Sequence, residues 1–117
     1  MYGLPAGLDV SFFAGQELIQ VAVGQNEIVF HFHPDVVVTA VGQLAFGPGG
    51  SAGSSQAGPL LAQTACALLG RTVTVARIID STTLRLVFDD ESFVDFVDDS
   101  TSFESFIIET SPGVIVV

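Results

Sequence analysis

Two stretches of strict two-residue alternation, 56 positions apart, constrain the fold of this chain more than any other feature. Ile28, Phe30 and Phe32 are apolar at every second position, and Leu84, Leu86 and Phe88 repeat the pattern. Successive side chains of a strand point to opposite faces, so each triplet marks one apolar face of a β-strand. The other faces carry Val29, His31 and His33 in the first stretch and Arg85, Val87 and Asp89 in the second. The apolar triplets are expected in the core and the mixed faces outside it.

The surroundings extend each stretch into a meander. Strand patterns over 18–23, 27–33 and 36–46 are joined by Gly24-Gln25-Asn26 and Pro34-Asp35, turns short enough for consecutive hairpins, giving an antiparallel meander over 18–46. The segment 47–58, GPGGSAGSSQAG, has too few apolar side chains to pack and reads as a flexible linker or surface loop. Pro59 suits a first helical position and Gly70 the left-handed position after a last turn. Leu61, Ala65, Leu68 and Leu69 fall on one stripe between them, which predicts a helix over 59–69. Strand patterns at 72–79, 84–88, 93–97, 103–108 and 114–117 make a second meander over 72–117.

Shifting the second half by 56 residues lays Leu18–Val23 over Thr74–Ile79, Phe32 over Phe88 and Val38 over Val94. The expected fold is mainly β: one domain over 1–117, an antiparallel β-sandwich or small barrel of two meanders with a pseudo-twofold repeat, its open end plugged by the helix. The third strand of each meander is apolar on both faces, with Val36, Val38 and Ala40 opposing Val37 and Val41, and Val94 and Phe96 opposing Phe93 and Val97. A surplus apolar face predicts a homo-oligomer, in the simplest case a dimer.

Thirteen Asp and Glu against three Arg and no Lys give a formal charge of -10, which repels a phosphate backbone and excludes nucleic acid as a partner. A hydrophobic content of 49% is enough to offset the ordering entropy of a folded chain. The longest apolar run, 36–46, is broken by Thr39, Gly42 and Gln43 and falls short of the roughly 18 residues of a membrane helix. No positive residue precedes an apolar run near Met1, so neither membrane insertion nor secretion is expected and the location reads as cytoplasmic. Cys66 is the one cysteine, so no intrachain disulfide forms. Its Ala/Leu-rich surroundings predict that it packs as a small hydrophobe.

Gly49-Gly50-Ser51-Ala52-Gly53 matches G-x-S-x-G, yet both histidines precede Ser51 and no strand–turn–helix frames it, so the hydrolase elbow fails on context. Residues 47–52 fit G-x-G-x-x-A, but the expected helix starts too late to meet a pyrophosphate. The sharper chemical hint is His31 and His33, which share one strand face at a spacing that lets two imidazoles reach one ion. Asp35 is the first candidate for a third ligand, with Glu27 and the carboxylates of 89–91 as others, and the ion would be a divalent metal. No other cofactor is expected.

Eight carboxylates crowd into residues 89–109 without a Lys or Arg among them. Asp89, Asp90, Glu91, Asp95, Asp98 and Asp99 are expected to form an acidic surface that attracts cations and whose crowding raises local pKa values. They lack the D-x-[DN]-x-[DN]-G order of a calcium loop, and Asp89-Asp90 and Asp98-Asp99 both sit where strands end.

The C-terminal half also carries a resemblance. Leu69-Gly70-Arg71-Thr72-Val73, Leu84-Arg85-Leu86-Val87-Phe88-Asp89-Asp90, the run from Asp98 to Ile108 and Gly113-Val114-Ile115-Val116-Val117 together resemble a family of small uncharacterised bacterial proteins. In that family a Leu-Gly-x-x-Val opens a β-meander, an acidic turn follows a Leu-x-Leu-x-Phe strand, and an Asp-Ser-x-x-[Tyr/Phe]-Glu-Ser run precedes a Gly-x-Ile-x-Val end. The resemblance implies a fold and carries no activity with it. With no complete catalytic set in the sequence, the expected function is a non-enzymatic acidic module that neutralises or docks a basic protein partner. The alternative is a small-ligand or metal-binding β-domain built on His31 and His33.

Overall fold

The computed structural model describes residue 4 and residues 7–47, 54–56, 61–98, 105–110 and 113–117. Among them lie ten strands: β1 (Glu17–Val23), β2 (Ile28–His33), β3 (Val36–Ala40), β4 (Gln43–Gly47), β5 (Ser54–Gln56), β6 (Val73–Asp80), β7 (Thr83–Phe88), β8 (Phe93–Val97), β9 (Phe106–Thr110) and β10 (Gly113–Val116). A 3-10 turn, Ser11–Phe13, precedes β1, and a short helix, α1 (Ala62–Cys66), precedes β6. The strands form two five-stranded antiparallel sheets, in the orders β1-β2-β3-β9-β10 and β5-β4-β8-β7-β6. The molecule is a β-sandwich, and Ile28, Phe30, Phe32, Leu84, Leu86 and Phe88 all point into its core as their alternation predicts.

Each sheet takes three strands from one half of the chain and two from the other. The strand expected over 36–46 is two strands in different sheets: β3 stays with β2, while β4 crosses over to pair with β8. The crossing occurs at Val41-Gly42, whose amides both donate to the Ser105 carbonyl at 2.9 Å. Apolar alternation runs on through this point, which is why the pattern alone joins the two. In return, β9 leaves the second meander and pairs with β3. The glycine-rich segment, expected to be loop throughout, contributes β5 beside β4, because backbone pairing needs no apolar side chain. Residues 48–53 and 57–60, with the G-x-S-x-G string and Pro59, lie outside the described residues.

The expected repeat is present, with its register adjusted. Pairing of β2 with β3 and of β7 with β8 matches residue for residue at the 56-residue shift: Phe30 opposes Val38 as Leu86 opposes Val94, and Val29 opposes Thr39 as Arg85 opposes Asp95. In the first strands the correspondence is one residue shorter, because Leu18 opposes Phe32 while Val73 opposes Phe88. The backbone confirms this offset. The Gly15 amide donates to the Val73 carbonyl and the Gly70 amide to the Leu18 carbonyl, both at 2.8 Å. Gly15 and Gly70 have φ of +88° and +84°, a left-handed conformation that glycine adopts without steric cost. These reciprocal bonds sew the start of β1 to the start of β6 and close one side of the sandwich. We call residues before Gln56 the first unit and those after Leu61 the second.

Both units therefore begin with a short helical turn, and the predicted helix is the second of the two. It is shorter than the expected 59–69: α1 ends at Cys66, and residues 67–70 continue as turns. Ala65 and Leu68 are buried on the predicted stripe, but Leu69 is 43% exposed and Cys66 is exposed rather than packed as a small hydrophobe. A helix of one turn buries only the positions directly over the sheet. In the first unit the corresponding residues Val10 and Phe13 are buried. Aromatic packing then ties the units together: Phe32 and Phe88, equivalent residues, stack at 6.5 Å across the pseudo-twofold, and Phe30 meets Phe96 edge-on at 5.3 Å. No helix among the described residues is long and apolar enough to cross a membrane.

Candidate functional site

His31 and His33 lie on the outer face of the first sheet, as the alternation of β2 requires. His31 is half-buried opposite Gln20 and Val37, and His33 is exposed at the strand end opposite Glu17. Asp35 does not join them. It belongs to the β2–β3 turn, where its amide donates to Gln16 Oε1 and its Oδ1 accepts from Gln16 Nε2, both at 3.2 Å. Gln16 is buried and Asp35 exposed, so this contact ties the turn carboxylate to the segment ahead of β1. Among the described residues no group of three or more His, Cys, Asp or Glu side chains is placed to hold a metal ion.

The acidic stretch divides into two populations. Asp89, Asp90 and Glu91 are exposed in the β7–β8 turn. Asp95 and Asp98, expected on the acidic surface, are each only 8% exposed. Asp95 accepts from Arg85 Nε at 2.8 Å and from its second guanidinium nitrogen at 3.0 Å, and Asp98 accepts from the Ser105 hydroxyl at 2.8 Å. Arg85 reaches Asp95 through the register of β7 and β8, and Ser105 reaches Asp98 from just before β9 in the other sheet, neither of which composition reveals. Asp99 lies outside the described residues.

Within the turn the carboxylates are organised. The Ser92 hydroxyl and amide both donate to Asp90 Oδ1, and Arg71 reaches Asp90 at 3.4 Å and Asp89 at 4.0 Å. Crowding by itself predicts raised pKa values here, but Asp90 is held below the ordinary carboxylate range, first by the Ser92 hydrogen bonds and then by the Arg71 charge. A carboxylate kept ionised in this way is a good cation acceptor and a poor proton shuttle. Arg71, outside the acidic run in sequence, arrives because it follows Gly70 at the entry to β6, as Gln16 follows Gly15 and reaches Asp35.

The turn borders a cleft of about 200 Å³ between α1, the end of β4 and the start of β8. Phe46, Ala67, Leu68 and Phe93 supply an apolar floor, while Thr64, Asp90 and Ser92 supply a polar edge. Gly47 completes the wall, because any side chain there would overlap the Phe93 ring. The Arg85 guanidinium covers Phe93 at 3.8 Å from the ring centroid while bound to Asp95. Sequence reasoning missed this cleft and the Arg85–Asp95 pair. The pair follows from pairing β7 with β8 as a hairpin, whereas the cleft needs the exchange of β4 between units. No family model, curated protein or solved structure matches the chain.

Proposed function

We propose that the protein is a non-enzymatic binding module that docks a basic protein segment at the end of the sandwich formed by the β7–β8 turn. The observation that carries this reading is a turn of three exposed carboxylates, Asp89, Asp90 and Glu91, of which Asp90 lines the cleft, with Arg71 beside Asp89 and Asp90. Arg71 offsets one of the three charges, which leaves a local excess of negative charge in a molecule whose formal charge is -10. That field steers cationic partners towards the protein, and Asp90 is held ionised to meet them. The exposed thiol of Cys66 suits a reducing compartment, in keeping with a cytoplasmic location.

The test is a titration with a lysine-rich peptide at low and high salt, with the Asp89→Asn/Asp90→Asn/Glu91→Gln protein alongside. Binding is expected to weaken by about tenfold or more in the variant and to fall steeply as salt rises. Affinity indifferent to both changes contradicts the proposal. Self-association is the second reading, supported by Val29, Val37, Ile107 and Val116, which leave the outer face of the first sheet apolar and half-exposed. Sedimentation velocity at micromolar concentration checks it: a concentration-dependent dimer supports this contact, and a single 12.2 kDa species contradicts it.

A further inference from the structure

The pseudo-twofold shows what the cleft lacks. Counting back from the paired glycines, Leu68 and Ala67 of the second unit stand where Phe13 and Phe12 stand in the first. The local backbone agrees: the Phe13 amide donates to the Val10 carbonyl at 3.2 Å, and the Leu68 amide to the Ala65 carbonyl at 3.1 Å. The Gln16 and Arg71 amides return to Phe13 and Leu68 at 3.0 and 3.1 Å. In the first unit Phe12 packs against the core and stacks on Phe13 with ring centroids 4.7 Å apart. The second unit has a methyl group where that ring belongs, and the cleft opens beside it.

We infer that the cleft takes an aromatic side chain carried by the basic segment, seated over Ala67 and Leu68 as Phe12 is seated in the first unit. The size agrees, since about 200 Å³ is below the roughly 300 Å³ where pockets for drug-sized ligands begin. The lining agrees as well: Phe46, Leu68 and Phe93 offer ring and aliphatic surface, and Asp90 sits at the rim to pair with a neighbouring cation on the same segment. Apolar floor and anionic rim together select an aromatic residue next to lysine or arginine over either feature alone. This inference rests on the docking reading above and adds the specificity that charge alone does not supply.

Two capped tripeptides test it, lysine–phenylalanine–lysine and lysine–alanine–lysine, which carry equal charge and differ by one ring. They are titrated into the isotope-labelled whole protein and followed by its amide chemical shifts. Both are expected to perturb residues 89–91, but only the first to shift Thr64, Ala67 and Leu68, to show ring contacts to the Ala67 and Leu68 methyl groups, and to bind about tenfold tighter. Ala67→Phe restores the ring of the first unit and should abolish the difference between the peptides while leaving binding at the turn. The ring contacts in the unaltered protein stand as evidence whether or not that variant folds. Equal binding of both peptides at 89–91, with no ring contact to α1 or the turns after it, overturns the aromatic site and leaves the docking reading intact. Binding of neither peptide overturns both.

Discussion

Arg85 and Asp95 face one another on the outer side of the second sheet, and the same two places in the first sheet hold Val29 and Thr39. The structure thus contains its own control for the ion pair. Arg85→Ala leaves the nearly buried Asp95 carboxylate without its guanidinium and is expected to cost about 2 kcal/mol in urea unfolding, since Arg85 is itself about one-third exposed. The double change Arg85→Val with Asp95→Thr copies the first unit and should lose about 1 kcal/mol or less relative to the natural pair. Titration supplies a second check. Asp9, Asp80 and Asp90 are all held below the ordinary carboxylate value by hydrogen bonds from residues two positions on, Ser11, Thr82 and Ser92. Groups with lowered native pKa values stabilise the fold above the unfolded value of about 3.9, and that stability disappears as pH falls through the native values. Urea midpoints should therefore be lower at pH 3 than at pH 6. Asp80→Asn with Asp90→Asn, which keeps an acceptor but removes the titration, should narrow the difference. At this scale the sequence shows which face a side chain takes but not what stands opposite. His31 and His33 are legible as outward-facing for that reason, while the turning of Asp35 to Gln16 and the burial of Asp95 and Asp98 are not.

β4 and β8 meet where a glycine lies under an aromatic ring. Gly47 opposes Phe93, and the corresponding residues of the first sheet are Glu109 and Val37. Gly47→Ala is expected to cost about 2 kcal/mol because the added methyl group overlaps the Phe93 ring, which is also covered by the Arg85 guanidinium. In a Phe93→Val background the same change should cost close to nothing, as measured by a double-mutant cycle in urea. Most strands are readable because alternation fixes both their existence and their inner face, as for β2 and β7. The helix before β6 is readable only as a stripe. Its early end and the exposure of Leu69 are not legible, since the stripe does not show that only Ala65 and Leu68 on it become fully buried. The 3-10 turn at Ser11–Phe13 carries too few residues to declare a period, and its role emerges from Gly15, the counterpart of Gly70.

The whole molecule is held together by reciprocity. Each unit lends two strands to the other's sheet, each helical turn is followed by a left-handed glycine bonded to the other unit's first strand, and the shared core stacks Phe32 on Phe88. The duplication is legible in the sequence because it preserves the pattern of core residues. The exchange is not, since an alternating strand pairs equally well with either meander until the bend at Val41-Gly42 is placed. The exchange also makes the cleft, by carrying Phe46 and Gly47 of the first unit against Leu68, Asp90 and Phe93 of the second. The docking proposed for that cleft would thus belong to the interlocked pair of units rather than to either half. The most direct test is a set of backbone proton–proton contacts in the labelled whole chain. The account predicts cross-strand contacts between Val38 and Ile108 and between Phe46 and Val94. Contacts that instead pair Val38 with residues 43–47 and Val94 with residues 106–110, each half closed on itself, would contradict it.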